Sequence, residues 1–166
     1  MHLTKFLFIA VFSFFSMNLI AQLKANTECN AITVDVYKGW INQAGPNIDP
    51  EQIKAKLPYF TRFEKEGNES KCGGGIYYDD KDFKYLIQRE YIVIGEKFKG
   101  KLNIPLLGAK RDDLFLWFGN PKLKDVKWEA YQMQYGTLIV YFNDKKLVNK
   151  IIMSTKSTDD IDLCAD

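Results

Sequence analysis

Histidine is almost missing from this sequence: of 166 residues, only His2 carries an imidazole. Beyond the first few residues there is none, which excludes Ser-His-Asp and Cys-His nucleophilic catalysis, histidine general bases and histidine-ligated zinc or copper. Cysteine is scarce as well, with Cys29, Cys72 and Cys164 spread along the chain. No imidazole stands ready to activate Cys72 as a nucleophile. An excess of one charge is also lacking: 23 basic residues against 21 acidic ones leave +2, and no basic stripe appears, so a nucleic-acid partner is not expected. No glycine-rich phosphate loop followed by Lys-Ser/Thr is present, and no cofactor or resident metal is expected.

Long apolar runs are confined to the N-terminus. Lys5 precedes the run from Phe6 to Phe15, and Ala21 precedes a polar continuation, the pattern of a secretory signal over residues 1–21. Ser13, Ser16 and Asn18 interrupt the run short of the roughly 20 residues that a membrane-spanning helix needs. No cysteine lies at the junction, so no lipid anchor is expected. Removal of Lys5 leaves 22 cations against 21 acids, a net +1. The expected product is one exported domain, 22–166, located in the periplasm or secreted. Three cysteines in such a setting imply one disulfide and one odd thiol, with all three pairings open.

What the chain does contain is 46% hydrophobic and 14% aromatic residues, enough for a core. Residues 29–43 read equally as helix or strand. Asp49-Pro50-Glu51-Gln52 is a helix start, with Ile53 and Leu57 on one side and Pro58 as the stop. Strand signals follow at 59–66, 76–78, 83–87 and 91–94, with Asp79-Asp80-Lys81-Asp82 as a turn. Residues 111–118 predict a short helix ended by Gly119 and Pro121. Strands are then predicted at 128–135, 137–142 and 147–154, turning at Gly136 and Asn143-Asp144. The expected fold is α+β: short helices packed on one face of an antiparallel sheet of four or more strands. Tyr77-Tyr78-Asp79-Asp80-Lys81 recurs 64 residues later as Tyr141-Phe142-Asn143-Asp144-Lys145, suggesting two tandem helix-plus-meander units over 29–99 and 106–156.

The stretch Leu107-Gly108, Phe118-Gly119-Asn120-Pro121, Tyr131, Tyr135-Gly136 and Val140-Tyr141-Phe142-Asn143-Asp144-Lys145-Lys146-Leu147-Val148, closing at Ile151, resembles the repeat of β-lactamase-inhibitor-like proteins and of the SmpA/OmlA small outer-membrane lipoproteins. The Phe118–Pro121 corner stands for their LGxP motif, and Asn143-Asp144-Lys145 for their final hairpin. The resemblance implies an exported, non-enzymatic module whose sheet binds another protein, with a hydrolase or toxin as its target.

Three further constellations are weighed against ordinary surface chemistry. Asp79-Asp80-Lys81-Asp82 could ligate calcium but lacks the mid-loop Gly and distal Glu of a calcium loop, and reads as a solvated hairpin tip. Cys72-Gly73-Gly74-Gly75 could cradle an anion, yet reads better as the entry to a strand. Paired carboxylates such as Glu90 with Glu96 are the acid–base chemistry that remains, which keeps a small secreted hydrolase as the competing function. Alternation decides the rest. Leu138, Val140 and Phe142, with Tyr131, Met133 and Tyr135, form the core side, which leaves Trp128, Gln132, Gln134 and Tyr141 on an open face suited to a partner protein.

Overall fold

A computed structural model describes residues 31–65 and 73–163. The expected signal segment, 1–21, and the disulfide candidates Cys29, Cys72 and Cys164 all lie outside the described residues.

The first strands form a small sheet. β1 (Thr33–Asp35) pairs antiparallel with β2 (Trp40–Ile41) and parallel with β7 (Lys101–Leu102). Asn103 secures this junction, accepting from the Val36 amide at 3.0 Å and donating to the Asp35 carboxylate at 2.9 Å. Helix α1 (Pro50–Lys56) begins where the capping signal places it: the Asp49 carboxylate accepts the Glu51 amide at 2.9 Å. Pro50 supplies the preset φ of a first helical position.

The remaining strands build one eight-stranded sheet. β3 (Arg62–Glu64), β4 (Gly75–Tyr78), β5 (Phe83–Leu86) and β6 (Tyr91–Gly95) run as a meander. A second meander follows: β8 (Leu123–Lys124), β9 (Trp128–Met133), β10 (Gly136–Phe142) and β11 (Val148–Ser154). The spatial order is β3-β4-β5-β6-β11-β10-β9-β8, so the two meanders join through their last strands. All pairings in this sheet are antiparallel. Each meander follows a short helix, α1 in the first case and α2 (Leu114–Phe118) in the second, the latter preceded by a 3₁₀ turn at Arg111–Asp113.

The two similar hairpins differ in their place. The first is β4–β5, the second and third strands of its meander; the second is β10–β11, the third and fourth. Their local geometry nonetheless agrees, since Asp82 and Lys146, also 64 apart, both adopt positive φ (58° and 59°). The two turns share their chemistry and stand one strand out of step in the sheet order.

Period-2 alternation gives the sheet two distinct faces. On the first, the register aligns Ile76, Tyr85, Ile92, Met153, Leu138 and Tyr131 across six strands. These belong to one buried cluster with Val34, Ile41, Ile53, Leu57, Leu106 and Leu114. On the second face, Val93, Ile152, Ile139 and Ala130 align and form a smaller cluster with Leu86 and Tyr91. Ile161 and Leu163, from the segment after β11, pack against that second cluster.

Candidate functional site

The alternation assigned to β9 and β10 places Trp128 and Tyr141 on the second face, and there they stand directly opposite each other in the register. Both are half-buried and pack against the cluster of Ile139, Ala130 and Ile152. The Lys150 ammonium sits 4.1 Å from the Tyr141 ring centroid, a cation–π contact across β10 and β11.

The other two residues expected beside them have different surroundings. Gln132 lies on the same face, but its amide is engaged at both ends. Its Nε2 donates to the Gly136 carbonyl at 2.8 Å, and its Oε1 accepts from the Thr158 amide and hydroxyl at 3.1 and 3.0 Å. Gln134 is exposed in the turn between β9 and β10, because β9 ends at Met133 rather than at residue 135.

Nor is the face bare. Residues 155–163 run over it as a strap. The Thr137 hydroxyl donates to the Lys156 carbonyl at 2.8 Å, and Tyr91 and Asp162 exchange two hydrogen bonds of 2.9 and 3.0 Å. Arg89 adds an ion pair to Asp162. These contacts gather at the Thr137 end of β10. Trp128 and Tyr141 lie at its other end, four residues or about 13 Å along the strand at ~3.3 Å per residue.

Beyond the Trp128–Tyr141 pair the sheet ends in a cleft of 970 Å³, whose lining includes Arg111, Val126, Lys127, Phe142, Lys146 and Asn149. Its wall is built on an ion pair between a buried carboxylate and a partly buried guanidinium. Glu129, 3% exposed, accepts from Arg111 Nε at 2.9 Å and from the Tyr131 hydroxyl at 2.6 Å. The rest of the Arg111 guanidinium donates to the carbonyls of Val126 and Asp125 and lies over the Phe142 ring. Burial, reinforced by the hydrogen bond to Glu129, pushes the ionisation of the Tyr131 hydroxyl far up. Sequence reasoning missed this wall, although a signal was present: the alternation that puts Tyr131 in the core also puts acidic Glu129 there. A buried carboxylate requires a cation.

The other constellations resolve simply. The carboxylates of the 79–82 turn serve separate partners: Asp79 accepts from the Thr61 hydroxyl, Asp80 pairs with Lys81, and Asp82 accepts the Lys97 amide. No metal-holding group of three or more acidic or thiol side chains occurs among the described residues. Gly73 and Gly74 lead directly into β4, with the Gly74 carbonyl accepting the Ile87 amide at 3.0 Å. Glu90 and Glu96 flank β6 at opposite ends, roughly 20 Å apart at ~3.3 Å per residue. That separation is too long for a catalytic carboxylate pair, and the Glu90 carboxylate is held by the Thr155 hydroxyl. No helix among the described residues is long and apolar enough to cross a membrane.

No family model, curated protein or solved structure matches this chain.

Proposed function

We propose that the protein is an exported, non-enzymatic binding module, inhibitor- or immunity-like, that docks another exported protein on the second face of its sheet. The observation that carries this reading is the Trp128–Tyr141 cross-strand pair, two half-buried aromatics on a face that, among the described residues, is otherwise crossed by a nine-residue strap. Large amphipathic rings of this kind supply contact area at little entropic cost and dominate interface energetics. The reading packs both short helices on the opposite face, where Ile53 and Leu114 join the larger cluster. Export rests on the signal pattern of residues 1–21, and a hydrolase or toxin target on the resemblance of 107–151.

The test is recovery of a partner from the source organism's envelope fraction, followed by titration of the purified partner. Trp128→Ala is expected to weaken binding by about 2 kcal/mol or more while the melting temperature changes little. Unchanged affinity in Trp128→Ala removes the assignment; a variant that unfolds shows the residue to be core.

A further inference from the structure

The cleft beyond the Trp128–Tyr141 pair has features that the sheet face alone does not explain. Of its lysines, Lys124 reaches Glu129 at 3.6 Å, whereas two others are not neutralised from within. Lys127 and Lys146 are exposed, and neither has an ion pair among the described residues. Two of the acids nearby are already committed: Glu129 is bound by Arg111, Tyr131 and Lys124, and the Asp125 carboxylate accepts the Lys127 amide at 3.0 Å. Asp144 alone of the lining carboxylates is exposed without a hydrogen-bond partner among the described residues.

Two further observations point to a ligand. The Asn149 side-chain oxygen is buried and has no hydrogen-bond partner among the described residues. Such an acceptor costs free energy until a donor reaches it. Val126, in the cleft lining, is 85% exposed, an apolar side chain held out in water between Asp125 and Lys127.

We infer that this cleft receives an acidic peptide segment of the partner protein, its carboxylates meeting Lys127 and Lys146 and a backbone N–H reaching the Asn149 oxygen. Val126 then covers the apolar part of the segment, and Arg111, fixed by Glu129 and two carbonyls over the buried Phe142 ring, serves as rigid wall rather than ligand. A peptide fits better than a free inorganic anion, because the cleft combines cations, a hydrogen-bond acceptor and an apolar side chain. The cleft lies at the same end of β9 and β10 as the docking pair, since Lys127 precedes Trp128 and Phe142 follows Tyr141, with Phe142 turned to the first face. The inference rests on the docking reading, yet can fail separately from it.

The probe is a ten-residue peptide of alternating Glu and Ala with blocked termini, titrated against its Gln/Ala counterpart at low salt, with side-chain amide NMR of Asn149 as the local reporter. Saturable binding of the Glu peptide is expected, with a shift of the Asn149 amide signals. Binding should weaken tenfold or more in Lys127→Glu/Lys146→Glu and about threefold in Asn149→Ala, but not in the control Lys97→Glu/Lys99→Glu. Melting temperatures verify that each variant is folded. Equal binding of the Gln peptide, or equal loss in the control, overturns the inference. So does tighter binding of a sulfated oligosaccharide through the same lysines, which would make the site one for anionic sugars. A purified partner that loses affinity in Trp128→Ala but not in Lys127→Glu/Lys146→Glu leaves the docking face standing and removes the acidic segment.

Discussion

The two faces of the eight-stranded sheet are covered in different ways. On the first, the contacts are mainly apolar: Ile76, Tyr85, Ile92, Met153 and Leu138 share one buried cluster with Val34, Ile53, Leu106 and Leu114. Over the second, among the described residues, lies the segment 155–163, which contributes Ile161 and Leu163 and is otherwise held by side-chain hydrogen bonds and one ion pair. Apolar burial scales with the area removed from water, whereas exposed polar ties add little net free energy. The first face therefore supplies most of the stability of the fold.

The largest expected effect is alkaline. Burial raises the ionisation of Tyr78, Tyr85, Tyr131 and Tyr135 on the first face, and of Tyr91 on the second. The unfolded chain gives up these protons near pH 10, while the folded chain retains them. Stability is thus fully present below about pH 10 and is lost as pH rises through the folded values. Circular dichroism melts between about pH 8 and 12 should show a steep fall in melting temperature above pH 10. A flat profile would contradict the buried placement of these hydroxyls.

A matched pair of truncations measures the contrast between the faces directly. Leu138→Ala, in the larger cluster, is expected to cost about 4 kcal/mol, and Ile152→Ala, under the strap, about 2 kcal/mol, because the strap can settle into the space left behind. Urea denaturation reads both, and an equal or reversed order would end the comparison. The smallest effect concerns Tyr135. Its hydroxyl is buried without a hydrogen-bond partner among the described residues, while its ring fills the space beside Gly39. Tyr135→Phe removes the orphaned group and keeps the ring, so stability should be unchanged or rise by up to about 1 kcal/mol.

Much of the second meander was legible because long strands declare their period. Leu138, Val140 and Phe142 alternate with Ile139 and Tyr141 over enough residues to fix both faces, and Asp49-Pro50 marks a helix start by capping chemistry alone. The small sheet and β8 escaped, since two or three residues carry no period, and β1 finds β7 only through a pairing 68 positions away, Val34 with Leu102. The strap escaped for another reason. Residues 155–163 are so polar that they read as a loop, and only Ile161 and Leu163 mark a segment that lies on a sheet. Gln132 was placed on the correct face, but its commitment to Thr158 depends on a tertiary contact that no local pattern encodes.

The order of strands also has a consequence for the route by which the chain reaches this structure. Within each meander, neighbouring strands are neighbours in sequence and can pair after closing only short loops. The seam between β6 and β11 is different, since it brings Ile94 to Ile151, 57 residues apart. Loop closure over that distance costs more entropy than any hairpin in the sheet, and pairings of long sequence separation slow folding. Two separately nucleated halves that zip together late, along the β6–β11 seam, are the kinetic signature this topology implies.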